Sequence, residues 1–172
     1  MRRILIEKES IDQKTCSYGF PWKHDAICYN FRMPGEGVAA DKIGDIENKA
    51  DIETLVIGSD LSDYGFIDEM IGLEQLYIYS GANIHSLDFV KNLNHLTQLY
   101  IADSHIESLD PLGRLIQERK RLYDLETDIH KRLFMLIEGI CVNSDKNLDG
   151  KPLVEQGLYI SEVIINHKRI KG

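Results

Sequence analysis

The chain has 172 residues, 43% of them hydrophobic and 28% charged, with a net charge of −8, which suits one well-buried domain or a short capped solenoid and excludes a disordered chain. No apolar run approaches the ~20 residues of a membrane span, and Glu7 ends the stretch Ile4-Leu-Ile6 too early for a signal peptide, so a cytoplasmic protein without a membrane partner is expected. Between Glu36 and Asp110 fifteen Asp and Glu stand against three lysines, a local net of −12 that repels phosphate, excludes nucleic acid as a partner and favours a basic protein surface.

Residues 1–40 read as an N-terminal β-cap. Arg3–Glu7 and Ala26–Met33 have strand character, the second with Ile27, Tyr29, Phe31 and Met33 alternating on one side, and Tyr18-Gly-Phe-Pro-Trp22 is an aromatic turn between them. Such a segment covers the open apolar end of a first repeat, with Phe20 and Trp22 as core lids.

From 41 to 113 the chain repeats itself. Ile52-Glu-Thr-Leu55-Val-Ile57, Leu73-Glu-Gln-Leu76-Tyr-Ile78 and Leu96-Thr-Gln-Leu99-Tyr-Ile101 are near copies whose second leucines lie 21 and then 23 residues apart. Each supplies one short half-buried strand that can bury its apolar side only against the same strand next door. Ile84, Leu87, Val90, Leu93 and Leu96 follow at spacing three, which suits a 3₁₀-like return path. Ile43 and Ile46 belong to a degenerate unit upstream, and Pro111 and Gly113 break the pattern downstream.

This section resembles the leucine-rich repeats of bacterial internalin-like proteins. The resemblance implies an α/β fold: a short solenoid with a parallel concave sheet and a cap at each end, all one cooperative unit. Family members carry Asn five residues after the second leucine, where its side chain bonds neighbouring backbone. Here those places hold Asp60, Gly81 and Ser104, so a less regular stack is expected.

Residues 114–172 read as a helix-containing C-terminal cap. Leu115, Leu122, Ile129 and Leu136 recur every seven residues, which predicts one helix over 114–138. Ile140-Cys-Val142 and Leu158–Asn166 follow as strands that can pair, leaving a basic tail at His167–Lys171.

Little in the chain resembles a reaction centre. Three cysteines without short paired spacing (Cys16, Cys28, Cys141) read as reduced, buried thiols. Cys16 or Cys28 with His24 is a nucleophile and base by sequence proximity alone, and no hydrolase, zinc-protease or phosphate-loop motif is present, so no enzyme and no cofactor are expected. His85, His95 and His105 are spaced by ten rather than by the repeat period and should not stack in register as a metal site. Asp145, Asn147 and Asp149 with Gly150 nearly match a calcium loop. Gln156 at the twelfth place and Pro152 at the eighth weaken the match, and a polar hairpin turn is the alternative.

The strands offer a surface instead. Between their buried leucines, Thr54 and Val56, then Gln75, Tyr77 and Tyr79, then Gln98, Tyr100 and Ala102 face the other side, with like residues roughly 4.8 Å apart on adjacent strands. Glu53 and Glu74 sit at one edge, Asp60, Asp63 and Asp103 at the other, giving an uncharged aromatic and amide centre with an acidic rim. The expected function is therefore non-enzymatic binding of a basic or mixed-charge protein, with the tyrosines as anchors. An immunity-type inhibitor of a basic enzyme and a calcium-binding domain are the alternatives. A blander reading has cross-strand tyrosines only stiffen the sheet and the acids only solvate turns.

Overall fold

The computed structural model describes residues 15–18, 38–40, 49–58 and 60–171. The expected cap strands Arg3–Glu7 and Ala26–Met33, the lids Phe20 and Trp22, and the upstream isoleucines Ile43 and Ile46 lie outside these residues. Eight strands form one open sheet: β1 (Thr15–Tyr18), β2 (Val38–Ala40), β3 (Thr54–Ile57), β4 (Gln75–Ile78), β5 (Gln98–Ser104), β6 (Ile137–Ser144), β7 (Ile160–Ile165) and β8 (Lys168–Lys171). Their order is β2-β1-β3-β4-β5-β6-β7-β8, parallel throughout except for β7 against β8. The fold is mixed α/β, and no helix among the described residues is long and apolar enough to cross a membrane.

From β3 to β7 each strand lies beside the next in sequence and runs parallel to it, so the chain must return to the same end after each one. A parallel connection needs a dozen or more residues, and the spacing of the repeats supplies them. Leu55, Leu76, Leu99, Ile140 and Val163 stand in one row, and Ile57, Ile78, Ile101, Val142 and Ile165 in the next. Return-path residues Ile67, Met70, Leu73, Leu87, Val90 and Leu93 close over them, all wholly buried. Short 3₁₀ turns at Gly65–Glu69 and Asp88–Val90 keep this layer thin. Gly72 is needed there, because a Cβ would come within 2.5 Å of the Ala50 carbonyl.

The stretch after β5 departs from the single helix expected over 114–138. Helix α1 runs Asp110–Leu125 and α2 runs Ile129–Leu133. The repeat pattern ends at Pro111 as expected, and Pro111 sits in the first turn of α1, where its missing N–H has no partner to lose. At the other end Glu126 and Asp128 are extended, and the Asp128 carboxylate accepts from His130 N at 2.8 Å, which starts a second helix in a new direction. The period of seven thus spans two helices and the bend before β6, and Ile129 points into solvent.

Arg119 fastens α1 to the sheet. Its side chain is 1% exposed, and the two terminal nitrogens donate to the carbonyls of Leu96 and Phe134, which precede β5 and β6. Burial pulls its pKa down to about 10, partly offset by the charge of Glu74. The expected basic tail is instead β8, folded back on β7 through a two-residue turn in which Asn166 and His167 both have positive φ (49° and 63°).

Candidate functional site

The second face of the sheet brings together the residues the repeats place there. Thr54, Gln75, Gln98, Gly139 and Glu162 form one row, and Val56, Tyr77, Tyr100, Cys141 and Ile164 the next. Tyr77 stands beside Tyr100, and the Tyr79 and Tyr100 rings meet at 5.1 Å. Tyr77 Oη donates to Gln98 Oε1, and Gln98 Nε2 donates to Glu138 Oε2, so one buried amide uses both ends.

Two expectations about this face need correction. It is not an open aromatic centre: Val56 and Tyr77 are wholly buried, Gln98, Tyr100 and Thr54 nearly so, and Gln75, Tyr79 and Ala102 are part-exposed. Val56, Tyr77, Tyr100, Cys141 and Ile164 pack as a second apolar cluster, with Tyr79 and Ala102 against it. Nor is the face free of charge. Glu162 lies in the amide row, wholly buried, with one carboxylate oxygen 2.6 Å from Arg169 Nη2 on β8. That contact is close but out of hydrogen-bond alignment, so it compensates the charge as an ion pair and leaves the carboxylate without an aligned donor. Gly139, the side-chain-free place between Gln98 and Glu162, separates the amide from the carboxylate.

The acidic rim is where exposure remains. On the side where the strands begin, the Glu53 carbonyl accepts from both Glu74 N and Gln75 N, that of Glu74 from Thr97 N and Gln98 N, and that of Thr97 from Glu138 N and Gly139 N, at 2.6–3.2 Å. This repeated two-donor bond stacks Glu53, Glu74, Thr97 and Glu138 in one column, in which Glu74 and Glu138 are exposed and Glu53 half-buried. At the other end of the strands Asp60 and Asp103 are exposed. Asp60 accepts from the backbone and side-chain nitrogens of Asn83 at 3.2 and 3.0 Å, and Ser104 Oγ donates to the Asn143 carbonyl at 2.7 Å. Gly81 N donates to the Ala102 carbonyl at 3.1 Å. All three places expected to hold Asn therefore bridge to the next rung without it. Tyr64 Oη donates to the Ser80 carbonyl at 3.0 Å beneath Asp60, and burial pushes its pKa up to about 12.

The 145–156 segment does not gather its oxygens. Asp145 lies 3.0 Å from His105 Nδ1, which holds its carboxyl below the usual range with help from Lys146, while Asp149 accepts from Lys151 N at 3.0 Å. Residues Lys151–Glu155 form a short helix, α3. Among the described residues no three His, Cys, Asp or Glu are placed to hold a metal. The histidines do differ from expectation, because His85 and His105 stack with ring centroids 5.5 Å apart. The two are 20 residues apart, short of the 23-residue register of the strands (Ile78 beside Ile101), and meet past the strand end, where the Ile84 carbonyl accepts from His105 N at 2.9 Å. Cys141 is buried, as a small apolar residue, and His24 and Cys28 lie outside the described residues.

Glu138, Glu162 and Arg169 are absent from the surface expected from sequence, yet a signal for two of them exists. Ile137-Glu-Gly-Ile140-Cys-Val142 and Ile160-Ser-Glu-Val163-Ile-Ile165 carry the same apolar spacing as the three repeats. No protein-family model matches the chain, and no curated protein matches it either.

Proposed function

We propose that the chain is a short leucine-rich-repeat solenoid acting in the cytoplasm as a non-enzymatic protein-binding scaffold, with its partner held along the acidic rim rather than on the tyrosines. The observation that carries this reading is the column of Glu53, Glu74 and Glu138, fixed in register by backbone bonds and exposed at Glu74 and Glu138. Carboxylates carried on a bonded column, with Thr97 between Glu74 and Glu138, present a negative edge to a basic or mixed-charge surface, and such an edge speeds association more than it deepens affinity. Buried Tyr77 and Gln98 serve from beneath by orienting Glu138 through their hydrogen bonds. An inhibitor of a basic enzyme is the narrower form of the same reading.

The test is capture of a partner from native cell extract at low salt, followed by kinetics with the purified pair. The wild-type chain should retain a basic protein whose association rate falls steeply with ionic strength. The double variant Glu74→Lys/Glu138→Lys should lose it, and Tyr79→Ala should not. Retention unaffected by the double charge reversal, or a flat salt response, contradicts the rim.

A further inference from the structure

Most large hydrophobic side chains of the described residues are inside, but Leu125, Ile129, Leu133 and Phe134 are 67, 61, 58 and 79% exposed, all within one short stretch at the corner between α1 and α2. Single exposed hydrophobics are ordinary, whereas a contiguous group marks a contact surface. Ile129 and Leu133 lie one turn apart on the same side of α2. The backbone that presents them is well fastened. Arg132 Nε donates to the Tyr123 carbonyl at 3.1 Å while its guanidinium sits 4.8 Å from the centre of the Tyr123 ring, and Arg119 Nη2 holds the Phe134 carbonyl at 3.1 Å. These side chains are held outward by a bonded corner.

We propose that this corner is a self-association surface on which a second copy of the chain docks about a twofold axis. The charge around the apolar group argues for that occupant. Asp124 in the last turn of α1 pairs with Lys120, Glu126 and Asp128 lie in the turn between the helices, and Lys131 and Arg132 lie in α2, so both signs flank one patch. In a twofold contact residue i meets residue j and j meets i, so a patch carrying both signs can satisfy its own copy. An anionic bilayer or an acidic protein would meet the carboxylates of Glu126 and Asp128 beside the apolar side chains, and a basic protein would meet Lys131 and Arg132. Four partly exposed side chains amount to a patch of a few hundred Å² against roughly 800 Å² per partner in a standard interface, so the dimer is weak and depends on concentration.

Sedimentation of the full chain from about 1 μM to about 1 mM covers the range in which so small an interface forms and dissociates. The mass should rise from the 19.7 kDa of one chain toward twice that value. Phe134→Asp and Leu133→Asp, at exposed positions where far-ultraviolet dichroism checks that the fold is kept, should stay monomeric throughout. Lys131→Glu should weaken association at low salt. A wild-type chain that remains monomeric at the highest concentration overturns the proposal, as does a dimer that Phe134→Asp leaves intact. A monomeric chain that floats with phosphatidylserine vesicles, and loses this with Phe134→Asp, assigns the corner to a bilayer instead.

Discussion

The rungs β3 to β5 and the rungs β6 to β7 make the same contacts with different connections. In the first group the return paths are residues 58–74 and 79–97, and apolar residues at spacing three fill them. Between β5 and β6 the chain instead spends residues 105–136 on a connection that contains α1 and α2, then resumes the row with Ile140 beside Leu99. From β3 to β7 the strands share one apolar pattern, whatever the length or type of their connection. Arg119 shows what the longer connection requires: a buried cation that reaches two carbonyls and so ties the inserted helix to the rungs on either side.

If β6 is a full rung, breaking it should cost as much as breaking an upstream one. Leu76→Ala and Ile140→Ala should each lower unfolding free energy by about 2–5 kcal/mol, since both residues are essentially buried, and urea melts check this. A cost under about 1 kcal/mol for Ile140→Ala alone, far below the usual range for a buried large-to-small change, would separate the two regions. The end of the sheet gives the next effect in size. Arg169→Ala leaves the wholly buried Glu162 carboxylate without compensation and should cost about 3 kcal/mol, the low end for a broken buried pair because Arg169 is half exposed. Adding Glu162→Gln should recover part of that loss, and a double-mutant cycle with no coupling would dismiss the pair. The smallest effect runs the other way. Nothing lies within 4 Å of a Cβ at Gly113 in the first turns of α1, so Gly113→Ala should stabilise by about 0.5–1 kcal/mol. A neutral or destabilising result would count against α1 beginning as early as Asp110.

The rungs β3 to β5 are legible in the sequence because three near-identical strands sit at one period, and their register follows from the leucines alone. The rungs β6 and β7 carry the same spacing at Ile137, Ile140 and Val142 and at Ile160, Val163 and Ile165, but the helical insertion hides the period. Leu115, Leu122, Ile129 and Leu136 then imitate a heptad across a turn that only Asp128, a capping residue, gives away. The faces of the strands are equally legible: Tyr77 beside Tyr100 follows from register. Their burial does not, because period two tells which side a residue takes and not whether that side is packed. Glu138 joins the rim only once β6 is recognised as a strand of the same row, and the stacking of His85 on His105, 20 residues apart, falls outside the 23-residue register of the strands.

The most direct test of the account is a set of nuclear Overhauser contacts between backbone protons of neighbouring strands in the isotopically labelled full chain. The parallel ladder places Leu99 beside Ile140 and Ile140 beside Val163, with Gly139 N donating to the Thr97 carbonyl, and contacts between those rungs should be strong. Their absence, with unbroken helical contacts running from 114 to 138, would contradict it.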